Sequence, residues 1–308
     1  MKTNKRAMLF VLEGAYNDGT TDPAAINALK LRDLSLTPMT GSDVERKAVR
    51  PYYGNSPKAP GEKFVELNIE LEAAPSGAAG TAPKYGDLLR CCGMSEAIVV
   101  ATSVTYAPIS DNEESGVFFV NMDGNLHKGR GARGTVSLTA NAGEIPYWKI
   151  KLVALFSPVE AGAIPAGIDV SSWLDSLVVN NTNTETLTFM GTECSFSKFS
   201  FDVAADVSQK NVVGNLGVEI VGRKPSGSIS IEDPGVSGKN FFDSHEKAEY
   251  GTCVLTHGKT AGNIIEVTMS KVSHEAPSYG DNKGTQMLDM KYTPEPISGN
   301  DEYAIVFK

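Results

Sequence analysis

The stretch GNLHKGRGARGTVSL, residues 124–138, holds Gly129, Gly131 and Gly134 in the spacing G-x-G-x-x-G. That spacing lets a backbone approach a pyrophosphate, so the chemistry it would license is dinucleotide binding. The fingerprint also needs a helix that begins at the third glycine, whose N-terminal amides meet the phosphates. Here Gly134 runs into TVSLTANAG, which alternates as a strand does, and no acidic residue follows at the distance a ribose contact requires. The match fails in its context. With Lys128, Arg130 and Arg133 interleaved, the segment reads as a flexible basic loop before a strand, and no cofactor is expected.

Other residue types capable of chemistry do not gather either. Cys91, Cys92, Cys194 and Cys253 form no C-x-x-C pair and have no histidine at ligand spacing, so they read as buried free thiols rather than a metal site. His127, His245, His257 and His274 stand apart, as packed or solvated histidines do. Neither G-x-S-x-G nor H-E-x-x-H occurs. Carboxylates are plentiful but spread along strand faces, and no acid/base pair stands out. The reading is a protein without a catalytic centre, a metal or a cofactor. The sequon NNT at 180–182 is read as a loop.

A net charge of −9 argues against wrapping nucleic acid, which depends on cationic neutralisation of phosphates. The most apolar run, AMLFVLEGAY at 7–16, is stopped by Glu13 after six residues, short of the ~20 a membrane helix needs. Lys2, Lys5 and Arg6 before it imitate a signal peptide, but no cleavage site follows cleanly, so the chain reads as unexported.

The elements that must position any site are mostly strands. KFVELNIELE (63–72) alternates Val65, Leu67, Ile69 and Leu71 with Glu66, Asn68, Glu70 and Glu72, the pattern of a half-buried strand. SKFSFDVAADV (197–207) repeats it, with Phe199, Phe201, Val203 and Val207 opposite Ser200, Asp202 and Asp206. Helical signals are few: PKYGDLLRCCGM (83–94), GKNFFDSHEKAEYG (238–251), the short DPAAINALKL (22–31), and VSSWLDSL (170–177) as a candidate fourth.

The chain also echoes itself. VSLTANAGEIPY (136–147) matches VTMSKVSHEAPSY (267–279), each an alternating run that enters Glu-x-Pro and then a tyrosine. KIKLVALFSPVEAG and QMLDMKYTPEPISG follow them. Each half carries an alternating acidic strand and then one short helix. A duplicated β domain is expected, residues 1–160 and 161–308, with VEAGAIPAGIDV (159–170) as the connecting region.

The ordered motifs KFVELNIELEAAPSGAAGTAPKYGDLLRCCGM and VFFVNMDGNLHKGRGARGTVSLTANAGEIPYWKIKL make most of the first 160 residues resemble the major tail tube proteins of long-tailed bacteriophages. The resemblance implies a mainly β fold, in which each β-sandwich or barrel domain is flanked by one short helix. It implies a structural virion protein of the tail, assembled in the bacterial cytoplasm. Rings would stack into a hollow tube through which DNA passes without specific binding. Its partners would be further copies of itself, a tape-measure protein and a tail terminator, with no membrane involved. Single-domain members build six-fold rings, so two domains per chain imply a trimer with pseudo-six-fold symmetry, the alternative being a hexamer with one domain of each chain projecting outward.

Within that resemblance, TGSDVERKAVRPYYGNSPKAPGEK (40–63) is expected to be a polar arm that is mobile in the free protomer and orders between rings, with Asp43, Arg46, Arg50, Tyr52 and Lys58 at the contact. Glu66, Glu70, Glu72, Asp202 and Asp206 are expected to line the lumen with acidic charge. The rival readings are a carbohydrate- or receptor-binding β-sandwich, for which Tyr52, Tyr53, Tyr147 and Trp148 are the only aromatic clusters, and a bacterial secretion tube.

Overall fold

The computed structural model describes Lys2 and residues 4–308, and the fold is mainly β. The first half contains β1 (Arg6–Leu12), β2 (Asp33–Thr40), β3 (Asp43–Glu45), β4 (Lys58–Pro60) and β5 (Phe64–Glu72). There follow α1 (Gly86–Cys91), β6 (Met94–Val99), β7 (Ser103–Pro108), β8 (Gly116–Met122), β9 (Gly124–Asn141) and β10 (Tyr147–Phe156). After β11 (Glu160–Gly162), the second half contains β12 (Leu187–Phe189), β13 (Thr192–Cys194), β14 (Phe196–Asp202), β15 (Ala205–Val212), β16 (Asn215–Arg223) and β17 (Ser226–Glu232). It closes with α2 (Gly235–Gly238), α3 (Phe241–Glu246), β18 (Gly251–His257), β19 (Ile265–His274), β20 (Ser278–Asn282), β21 (Thr285–Pro294) and β22 (Ala304–Phe307).

Alternation does in β5 what it should: Val65, Leu67, Ile69 and Leu71 are buried, and the polar positions between them face outward. The pairings then repeat. In the first half β2 pairs antiparallel with β5, the β3–β4 hairpin lies between them, β5 pairs with β10, and β10 with β9. In the second half β14 pairs with β17 around the β15–β16 hairpin, β17 pairs with β21, and β21 with the bent pair β19 and β20. Likewise β1 pairs with β8 and β8 with β9, as β12 pairs with β18 and β18 with β19.

The halves are stitched together twice. Strand β9 pairs with β14 (Ser137 opposite Asp202, Thr139 opposite Ser200), which makes one sheet of β2, β5, β10, β9, β14, β17, β21 and the β19–β20 edge. Strand β22 pairs with β7 on one side and β19 on the other. Leu67, Trp148, Phe199, Phe201, Tyr292 and Phe307 are all essentially fully buried, and one hydrophobic core runs through both halves.

Several local expectations are corrected. Residues 124–134 are not a loop but the first part of β9, bent at the left-handed Gly131. A side chain at Gly129 would place its Cβ 2.3 Å from Phe118 Cζ, and one at Gly134 would meet the Lys151 carbonyl at 2.3 Å. The glycines answer to close strand packing, not to a phosphate.

The run 197–207 is two strands: Ala204, at φ 47°, turns the chain, and Asp202 Oδ1 accepts the Ala204 N–H at 2.7 Å. Residues 22–31 make only a 3-10 turn, Ala25–Asn27, because Asn27 Oδ1 accepts the Ala24 N–H and Leu29 N bonds to Met8 O, which hands the chain to β1. Residues 170–177 form turns, with Ser176 bonded to Glu72 and Ala73.

The helix over 83–94 is shorter than expected, with Leu88, Leu89 and Cys91 buried and the left-handed Gly93 just past its end. In α3 the Asn240 side chain caps the Asp243 N–H at 3.1 Å. The Glu-x-Pro echo is not equivalent in space. Glu144 and Pro146 sit in the β9–β10 hairpin, whereas Glu275 and Pro277 mark the bend between β19 and β20.

Candidate assembly surface

The outward face of the eight-strand sheet is polar from edge to edge. Across the middle run Asp33, Glu70, Lys149, Ser137, Asp202 and Ser226, each opposite the next by strand register. Beside them lie Tyr147, Thr139, Ser200, Ser228 and Lys291. Short side chains dominate where the halves join, and a shallow groove of about 370 Å³ there is lined by Ser137, Thr139, Ser200, Ser226 and Ser228. The Ser200 and Ser228 hydroxyls bond each other at 2.7 Å.

The five carboxylates expected on an acidic wall separate. Glu66 lies 3.4 Å from Lys151 and Glu70 lies 3.3 Å from Lys149, both pairs half-exposed across β5 and β10. Glu72 accepts the Ser176 N–H at 3.1 Å, so the segment before β12 covers it. Asp202 shares the face but caps Ala204, and Asp206 lies on β15, outside the sheet. The face therefore carries interleaved charges of both signs rather than a uniform acidic lining. Lys149 and Lys151 are visible in KIKL, yet only the register of β10 against β5 places Lys149 opposite Glu70 and Lys151 opposite Asn68, from where its ammonium reaches Glu66 diagonally.

At one end of this sheet stand two arms. The first, β3–β4, is a three-pair hairpin that joins no other sheet. Asp43, Arg46, Tyr52 and Lys58 are exposed on it, while Arg50 is half-buried and donates to the Asn55 carbonyl at 3.2 Å. The second arm, β15–β16, is longer and tied to the body. Val218 N donates to Tyr16 Oη at 2.6 Å, and Arg133 donates to the Val218 carbonyl at 3.0 Å. Val207 and Val218 pack on Phe64, Val153 and Leu155, which point outward at the root of the first arm. At its base Arg223 donates to the Ile109 carbonyl and pairs with Glu302 at 3.1 Å, both side chains nearly buried. Sequence reading passed over this second arm, although the uncharged turn NVVGNL (211–216) between two alternating runs signals a hairpin.

The chemical groups set aside earlier have structural partners. The four cysteines are buried; burial pushes the Cys194 thiol up to about 11 and the others higher still. Thr184 and the Leu177 carbonyl hold the two ring nitrogens of His257, and desolvation lowers its pKa. Trp148 is buried and donates to Tyr85 Oη at 3.0 Å, so only Tyr147 of that aromatic pair reaches the surface. Among the described residues no group of three or more His, Cys, Asp or Glu side chains is placed to hold a metal ion, and no helix is long and apolar enough to cross a membrane.

This is a mainly β protein whose two halves share one antiparallel sheet, with a polar face, two arms at one end, and β2 and β20 at its edges. No protein-family model matches the chain, and no curated protein is similar to it.

Proposed function

We propose that the chain is a structural protein that polymerises as stacked rings into a hollow tube of the bacteriophage tail type, with the polar sheet face lining a conduit for DNA. One observation carries the reading: the junction of β9 with β14 joins the last strand of one pairing unit to the first strand of the next. The chain ends that series unfinished. Strand β2 pairs only with β5, and β20 only with β21. A second copy that repeats the β9–β14 junction would bond its β2 to the first copy's β19–β20 edge, and a heterologous contact of that kind closes into a ring when the rotation allows. Three chains, each with two units, make the pseudo-six-fold ring; on this reading the units are residues 1–160 and 161–308, and no catalytic site is assigned.

Edge strands are usually shielded from such pairing, and the shielding of β2 is partial: Pro38, a register shift between Thr37 and Thr40, and an Arg6 guanidinium that donates to the Leu34 carbonyl at 2.6 Å. The two arms stand at one end of the sheet, where they would reach the adjoining ring. Electron microscopy of the purified, concentrated protein, together with native mass spectrometry, tests the proposal. Rings or tubes built on a trimer are expected; a monomer at every concentration would overturn it, and six chains in one closed ring would overturn the trimer.

A further inference from the structure

Hairpin β6–β7 has no counterpart in the second half, where α3 leads directly to β18. Its base lies against the second arm: Gly93 faces Ile220 Cδ1, and Arg223 bonds to the Ile109 carbonyl. Its tip lies against Gly80, beyond the far end of β5 from the arm roots. The hairpin therefore spans from the arm end to the opposite end of the molecule. That tip, AIVVAT (97–102), has no charged residue, and Ile98, Val99 and Val100 are 51%, 55% and 83% exposed. A second uncharged apolar tip, NVVGNL (211–216), stands on the second arm, with Val212, Val213 and Leu216 at 56%, 105% and 45%.

We infer that the β6–β7 tip is the docking point for the β15–β16 tip of a second copy in the next ring. The inference deepens the tube reading and rests on it for the direction of stacking. Two apolar tips at opposite ends of one chain satisfy each other only head to tail, a contact that propagates instead of closing on itself. Both are charge-free in a chain of net charge −9, so their contact strips water from no ion. A few valine-sized side chains fall well short of the ~1,200 Å² of a stable interface, so a lone pair of chains meets only transiently, whereas a ring presents several such contacts together. Because each chain carries one β6–β7 hairpin, a trimeric ring offers three docking points, and successive rings must stack in three-fold register despite their six-fold look.

The test uses two full-length variants, Val100→Cys and a size-tagged Val213→Cys, mixed at assembling concentration and treated with a short bis-maleimide. The native thiols are buried and do not compete. A cross-linked heterodimer is expected, together with loss of stacking in Val100→Asp or in Val213→Lys alone and its recovery when the two are mixed in one chain. Rings or tubes without the heterodimer, or capture of Tyr53→Cys on the first arm in place of Val213→Cys, would overturn the inference and leave the tube reading standing. The heterodimer without rings would do the reverse, and neither product would remove both.

Discussion

Gly129 was the residue most open to misreading, and its role is steric. A methyl group there would press on the Phe118 ring and stand 2.8 Å from Ala154 Cβ. Gly129→Ala is expected to lower stability by about 1–3 kcal/mol, the usual cost of overpacking. Gly222→Ala, where nothing lies within 4 Å, should be neutral or slightly stabilising. Chemical denaturation of both variants checks the contrast. His257 supplies a second residue-scale test. Burial lowers its pKa below the ordinary value of ~6.5, so the unfolded chain takes up a proton that the folded chain resists. Stability is therefore full above about pH 6.5 and falls as the pH drops toward the lower folded value. His257→Gln should flatten the fall in Tm between pH 7 and pH 5; an unchanged slope would remove His257 from the account.

Among the elements, the second arm depends on its base. Arg223 and Glu302 are paired with little access to water, and removing one partner of such a pair strands the other. Arg223→Met is expected to destabilise the protein by about 3 kcal/mol and to speed hydrogen exchange over 205–223, and adding Glu302→Gln should recover part of the loss. Tyr85→Phe should cost about 1–3 kcal/mol by leaving the buried Trp148 N–H without its acceptor.

What the sequence disclosed at this scale follows from how each element is stabilised. Strand β5 was legible because its own alternation sorts core from surface. The start of β9 was not, since glycine carries no hydropathy and its burial comes from Phe118, eleven residues upstream. The break after β14 was hidden because Ala204 turns the chain where alternation continues and no glycine or asparagine marks it. The short helices were overextended because tertiary bonds, such as Leu29 N to Met8 O, claim the backbone first. Of the candidate site, the carboxylates on one face were visible and their lysine partners were not, because partnership across strands is fixed by register.

For the whole molecule, the tube reading gives the first arm a part in assembly and none in folding. The β3–β4 hairpin joins no core sheet, so deleting residues 46–57 with a short Gly-Ser closure should leave Tm within a few degrees of the parent while stacking is lost. Scanning calorimetry and microscopy of the same preparation read the two effects, and full-length tubes from the shortened chain would assign the arm another task. The cross-strand pairs Glu66–Lys151 and Glu70–Lys149 have a further consequence for a conduit. A polyelectrolyte that binds a cationic surface gains affinity by shedding its condensed small ions, and pays them back on leaving. Lysines already neutralised by the neighbouring strand have no such exchange to offer. DNA would pass these pairs with its ion atmosphere intact, and what salt dependence its passage kept would come from Lys291, the exposed lysine beside them on the face.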